Sequence, residues 1–225
     1  MKKLQLLIIS ILFLMGGSIF AAAQDKKDDQ PKAATVDLAE WRDEFTGDAL
    51  NEKDWEQYSM EGGGTIKVSD GKLFTNGKSG SRAGIRSKKT FDAEKFIVST
   101  KIAAITAGIS EVSGTPTGNA ILSVMFDNNG TNRLEWVLTT EGRFEAWLMR
   151  DGKTIRLDGK NLGTKEKTPT IGIARRGDEF FFMLNGEIGF QKKIKNLPTE
   201  FRVMVYGYGT SNDEWDMISV ITTQK

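Results

Sequence analysis

The chain has 225 residues and contains no cysteine and no histidine. Without cysteine there is no disulfide, no thiolate nucleophile and no thiolate metal ligand. Without histidine the commonest general base and the commonest zinc or copper ligand are missing. Ser-His-Asp triads and His-based metalloenzymes are thereby excluded. A strong charge of either sign is also lacking, with 31 Lys+Arg against 30 Asp+Glu. Nucleic acid selects for net positive stripes, so this balance argues against a nucleic-acid partner and leads us to expect an uncharged ligand. Helical periodicity is nearly absent beyond the N-terminus, and there is no internal repeat.

The N-terminus has the three parts of a secretory signal peptide. Lys2 and Lys3 form a positive start, Leu4 to Met15 an apolar run broken only by Gln5 and Ser10, and Ala21-Ala22-Ala23 a small-residue cleavage site. A permanent span needs about 20 apolar residues, and this run is shorter. A lipoprotein would need a cysteine at the cleavage point. Residues 1–23 are therefore expected to be removed on export to the periplasm or beyond, leaving a mature form without a membrane span. Loss of Lys2 and Lys3 takes Lys+Arg from 31 to 29, against 30 acids. Residues 24–37 are charged and poor in large apolar side chains, so they read as a flexible linker. Residues 38–225 remain as one domain, long enough to bury a core without a staple.

Within that domain, short apolar or alternating runs recur between Gly, Asn and Asp turns, the pattern of a sandwich or barrel. Strands are expected at 65–69, 72–75, 83–87, 95–103, 120–127, 132–139, 143–150, 168–175, 179–184, 187–194, 201–208 and 215–222. Asn185-Gly186 is the strongest hairpin signal, because a type I′ turn needs positive φ at both central positions. Asp70-Gly71, Glu141-Gly142 and Asp151-Gly152 are weaker versions. Leu50 to Trp55 invites a short helical turn, and Ala107 to Gly118 reads as a long mobile loop.

One hairpin can be divided into faces. If Trp136 pairs with Leu148, then Leu134, Trp136, Leu138, Phe144, Ala146 and Leu148 share one apolar face. The opposite face carries Arg133, Glu135, Val137, Glu145, Trp147 and Met149. Trp136 is assigned to the core, and Trp41, Trp55 and Trp215 to the region where the two ends of the domain meet.

The segment RDEFTGDALNEKDWEQY (Arg42 to Tyr58) resembles the opening of concanavalin A-like lectin/glucanase domains, including the laminin-G-like set. IKVSDGKLF (Ile66 to Phe74), DEFFFMLNGEIGFQKKI (Asp178 to Ile194) and EWDMISVIT (Glu214 to Thr222) are similar, in order, to that family's second hairpin, its strand-NG-strand unit and its closing strand. The resemblance implies an all-β, two-sheet antiparallel jelly-roll sandwich, with sugars bound on a concave sheet face or its rim. It also implies a possible structural calcium ion where the opening and closing strands meet, with Asp43 and Asp216 as the matching acids.

Glycoside hydrolysis needs two carboxylates flanking the scissile bond. The glucanase branch carries them as Glu-x-Asp-x-x-Glu. Here Glu214-Trp215-Asp216 matches two positions and Ser219 replaces the third, and a hydroxyl is no substitute for a carboxylic acid as proton donor. Glu135 and Glu145 form a second pair, on neighbouring strands and one face. If they are catalytic, Glu135→Gln should abolish hydrolysis without lowering thermal stability. Trp147 beside Arg133, Glu135 and Glu145 has the composition of a sugar platform, an aromatic plate with polar groups around it. Asp127-Asn128-Asn129-Gly130 reads as a turn, and GGGTIKVSDG lacks the lysine of a phosphate loop.

The expectation is therefore an exported, non-catalytic glycan-binding or envelope-associated sandwich, with Arg133, Glu135, Glu145 and Trp147 as ligand-binding residues. Two alternatives stand beside it. One is a carbohydrate-active hydrolase, glucanase-like or similar to the 3-keto-disaccharide hydrolase domain, whose opening Phe45, Gly47, Leu50 and Trp55 match. The other is a structural or protein-binding sandwich, which an apolar concave face without polar groups would favour.

Overall fold

The computed structural model describes residues 37–58, 63–78, 81–109, 116–158, 162–163, 166 and 168–223. Residues 1–23, expected as a signal peptide, and nearly all of the expected linker 24–37 lie outside them. Among the described residues, the strands numbered in chain order form two nine-stranded antiparallel sheets. Sheet one contains β1 (Leu38–Asp43), β3 (Thr65–Ser69), β4 (Lys72–Asn76), β7 (Lys95–Ile109), β8 (Pro116–Thr117), β14 (Thr170–Arg176), β15 (Glu179–Leu184), β16 (Glu187–Lys193) and β18 (Ser211–Thr223). Its order is β16-β15-β14-β7-β18-β4-β3, with β1 on β18 and β8 on β7. Sheet two contains β2 (Trp55–Tyr58), β5 (Arg82–Ser87), β6 (Phe91–Asp92), β9 (Asn119–Met125), β10 (Arg133–Thr139), β11 (Arg143–Arg150), β12 (Lys153–Arg156), β13 (Leu162–Gly163) and β17 (Glu200–Tyr208). Its order is β12-β11-β10-β9-β17-β5-β2, with β13 on β11 and β6 on β17.

The turns follow from backbone sterics. Asn185 and Gly186 both take positive φ, 52° and 86°, as a type I′ hairpin demands. Asp70-Gly71 and Asp151-Gly152 do the same. At Glu141-Gly142 only Gly142 is left-handed, and its N–H donates to the Thr139 carbonyl at 2.9 Å. The loop has the three residues expected, 140–142, but the pairing it sets differs. It pairs Leu134 with Leu148 and Trp136 with Ala146, a register two residues from the one assumed. A shift of two preserves parity, so the face assignment holds: Leu134, Trp136, Leu138, Phe144, Ala146 and Leu148 are all buried.

Those six belong to the core between the sheets, with Phe96, Ile173, Phe180, Phe182 and Val203 from other strands. Each fully buried side chain of this size contributes about 1.5–3 kcal/mol. Trp136 stacks on Phe144 at 5.2 Å between centroids and donates its indole N–H across the sandwich to the Met183 carbonyl at 2.9 Å. That bond satisfies the polar handle of a buried tryptophan and ties sheet two to sheet one. Trp41 and Trp55 lie 5.2 Å apart, near the joined ends. Trp215 packs elsewhere, opposite Leu73 of β4, and donates to Thr75.

Of two expected loop features, one differs and one is met. The segment expected as a loop from Ala107 is strand through Ile109, and Pro116–Thr117 pairs back on it; residues 110–115 lie outside the described residues. Leu50 to Trp55 makes a single turn in which the Asn51 carbonyl accepts from Asp54 and Trp55. No helix among the described residues is long and apolar enough to cross a membrane.

Candidate functional site

Alternation on β10 and β11 puts Arg133, Glu135, Glu145 and Trp147 on the face of sheet two that points away from the core. The register makes Glu135 and Trp147 direct neighbours. On the other side of β10, Ser123 of β9 pairs with Glu135, and Met204 of β17 pairs with Ser123. Arg86 of β5 and Glu56 of β2 extend this row, and Arg156 of β12 begins it beside Trp147. A single line across seven strands therefore reads Arg156, Trp147, Glu135, Ser123, Met204, Arg86, Glu56.

At its centre is a buried polar triad. Arg133 donates through Nε to Glu135 Oε1 at 2.5 Å, and Tyr206 Oη donates to the same oxygen at 2.6 Å. Arg133 Nη1 also donates to the Gly130 carbonyl. Arg133 is 5 % exposed, Glu135 9 % and Tyr206 2 %. Burial works to lower the Arg133 pKa, but the facing Glu135 charge and its hydrogen bond outweigh it and hold the guanidinium above its ordinary value. Burial, then the Glu135 charge, pushes the Tyr206 phenol well above 10. The triad is thus a fixed cation, anion and neutral hydroxyl.

Local backbone makes the triad possible. Gly130 has φ +67° and exposes its carbonyl to Arg133. It lies within a turn in which Asp127 accepts from the backbone N–H groups of Thr131 and Asn132 and from both side chains. Although burial raises the Asp127 pKa, those four donors bring it below the usual carboxylate value. Gly84 leaves room for Tyr206, since a Cβ there would lie 2.2 Å from the tyrosine Cβ.

Around the triad the face is aromatic and charged. Trp147 donates to Glu145 Oε2 at 3.1 Å, and Arg156 lies 5.7 Å from the Trp147 ring centroid and 3.6 Å from Glu145 Oε1. Arg86 forks onto Glu56 Oε1 at 2.8 and 2.6 Å and stacks 4.5 Å from the Tyr58 centroid. Ile121, Met125, Val137, Met204 and Tyr206 form a small apolar patch beneath, with Tyr58 and Trp147 packed against it.

Solved structures with this architecture include an endo-β-1,3-glucanase from Pyrococcus furiosus, with 11% identity and TM-score 0.61, covering 82% of this chain and 94% of that one. SCLam, a non-specific endo-β-1,3(4)-glucanase from family GH16, aligns with TM-score 0.63 at 11% identity over 87% of this chain and 95% of its own. The Bacillus licheniformis β-glucanase gives 0.60 at 10% identity, covering 82% and 98%. The chain has the concanavalin A-like jelly-roll fold. No protein-family model and no curated protein matches its sequence. The likeness is one of fold, so residue roles in this jelly roll are argued from its own side chains.

Glu214 and Asp216 fall on the other sheet of the jelly roll. They alternate with buried Asp213 and Trp215 on β18 and are bound by lysines, Glu214 by Lys72 at 2.9 Å and Asp216 by Lys101 at 2.5 Å. Ser219 donates to Glu40 on β1. The other acid of the calcium reading, Asp43, stands opposite Ile218 of β18. Asp43 Oδ1 accepts from the Phe45 N–H at 2.7 Å and Oδ2 from the Trp55 indole N–H at 2.6 Å. Among the described residues no three acids gather as a metal site.

Arg133, Glu135, Glu145 and Trp147 share one face as their parity required. The sequence reading overlooked Tyr206, Ser123 and Arg86. Alternation in Arg202-Val203-Met204-Val205-Tyr206 signals that Tyr206 points outward, but only the β9–β17 pairing brings it to Glu135.

Proposed function

We propose that the protein is carbohydrate-active and holds a glycan chain on the outer face of sheet two. The observation carrying this reading is the buried Arg133–Glu135–Tyr206 triad directly beside Trp147. A flat indole covers the apolar face of a pyranose; the buried triad fixes the surface beside it, and the more exposed Glu145 and Arg156 at its edge are placed to bond the hydroxyls. The polar character of the face counts against a purely structural sandwich.

Between binding and hydrolysis, the likeness to glucanases favours an enzyme over a module that only binds. Hydrolysis would fall to Glu135 and Glu145, the two carboxylates flanking Trp147 on adjacent strands. Glu135, ion-paired with Arg133, suits the nucleophile; Glu145, at the more open edge, suits proton transfer. The test is titration of the protein with β-1,3- and β-1,3(4)-glucans, together with reducing-sugar release. Trp147→Ala is expected to weaken binding at least tenfold with little change in melting temperature. Glu145→Gln should abolish sugar release while keeping binding. Binding without release in the wild type would leave the non-catalytic form of the proposal, and no binding to any glycan would remove it.

A further inference from the structure

The two sheets differ in their cations: sheet one mixes lysines with Arg42, Arg175 and Arg176, while sheet two has a single strand lysine, Lys153 of β12. Strands β2, β5, β9, β10, β11 and β17 contain no lysine, whereas the strands of sheet one carry Lys67, Lys72, Lys95, Lys101, Lys192 and Lys193. The outer face of sheet two carries arginine only. It holds Arg82, Arg86, Arg133, Arg143, Arg156 and Arg202, six of the ten arginines in the chain. Arginine is the side chain whose planar fork matches carboxylate and sulfate geometry, and which stacks on aromatic rings while doing so.

Five of the six already face a carboxylate. Arg133 is bound to Glu135, Arg143 to Glu141, and Arg86 and Arg202 both to Glu56. Arg156 lies 3.6 Å from Glu145 and from Asp158. Arg82 is the exception: among the described residues it makes no hydrogen bond and no ion pair. Its guanidinium instead sits against two rings, 6.0 Å from the Tyr206 centroid and 5.6 Å from that of Tyr208. Such a stack leaves the N–H fork free at its edge. Arg86 and Arg202 are thus paired with Glu56, and Glu200 and Asp92 stand at the β6 end of the same face, whereas Arg82 lies at the opposite end of the β5–β17 pair, beside Tyr208. Whole-chain neutrality conceals the one unpaired guanidinium among the described residues of this face, that of Arg82. Tyr206 joins this corner to the triad, because the ring under Arg82 carries the hydroxyl that bonds Glu135.

From this we infer that the glycan taken by this face is anionic, and that Arg82 holds its carboxylate or sulfate group through the free guanidinium fork. The inference rests on the glycan reading above and names the substrate class. It replaces the expectation of an uncharged ligand.

The experiment is calorimetric titration of the protein with a neutral β-1,3-glucan, the same glucan sulfated, and the same glucan oxidised at C6 to the uronate. At least one anionic form should bind tenfold or more tightly than the neutral parent, and the form preferred tells sulfate from carboxylate. Arg82→Ala should erase that gain without changing the melting temperature, since Arg82 is only half-buried. Arg82→Lys should recover little of it, because a point charge lacks the fork. Arg143→Ala, at the rim and paired with Glu141, should leave the gain intact. Equal binding of all three polymers overturns the inference while the glycan reading stands. Equal losses in Arg82→Ala and Arg143→Ala overturn it as well, by reducing the effect to unspecific charge. Failure to bind any polymer removes both.

Discussion

At the scale of single residues, the least expected group is Asp213, a carboxyl that is fully buried on the core side of β18. Ser211 Oγ lies 3.0 Å from its Oδ2, while Oδ1 has no partner. Gly207 on the opposing sheet makes room, since a Cβ there would come within 2.5 Å of Oδ2. Burial raises the Asp213 pKa well above the carboxylate value, and the Ser211 bond offsets only part of this. The native state therefore keeps a proton that the unfolded chain releases. The resulting stability is fully present below the unfolded carboxylate pKa and is lost as pH rises through the folded one. Asp213→Asn, which stays neutral, should show a melting temperature that gains on the wild type as pH is raised from 5 to 9. A constant difference across that range would mean that Asp213 is already ionised in the native state.

At the scale of elements, the β10–β11 hairpin separates two jobs by parity alone. One face supplies Trp136, Phe144 and Leu148 to the core, and the other supplies Glu135 and Trp147 to the site. The outer face is not a solvated surface, however, because Arg133 and Glu135 are both nearly covered. This corrects the expectation that Glu135 can be altered without cost to stability. Removing one member of a buried ion pair leaves the other uncompensated, typically at about 3–5 kcal/mol. Glu135→Ala should destabilise the protein by that order in urea unfolding, and pairing it with Arg133→Met should restore part of the loss. A Glu135→Ala change below about 1 kcal/mol would show that water reaches Arg133 freely. Glu145 is the cleaner probe of chemistry, being half-buried, with Trp147 and Arg156 as its partners.

At the scale of the whole molecule, the fold is closed by its ends. β1 pairs with the last half of β18, Leu38 opposite Thr223, while β18 runs along β7 on its other edge and meets β4 with its first half. The final strand of the chain is therefore an interior strand of sheet one, and it contributes Trp215, Ile218 and Val220 to the core. Such distant pairings cost loop-closure entropy before they yield contacts, which slows folding into the millisecond-to-second range. Ending the chain after Thr210 should give a product without cooperative thermal unfolding, as followed by circular dichroism. A truncated chain that still melts cooperatively would show that sheet one can close without β18.

Much of the architecture could be read from the residues. Alternation placed β3, β11 and β15 at their observed bounds, and Asn185-Gly186 marked its hairpin, because period-two burial and positive φ are local properties. The same parity put Arg133, Glu135, Glu145 and Trp147 on one face, and it survived a register error of two because such a shift does not turn a side chain over. The short strands β1, β2 and β12 escaped notice, since edge positions need little alternation. What only the tertiary structure decided was adjacency between strands distant in sequence. It brought Tyr206 to Glu135, Glu56 to Arg86 and Arg202, and Tyr208 to Arg82. Composition reports a sum of charges, whereas strand order determines where each charge stands, and so a nearly neutral chain can present an arginine-lined face.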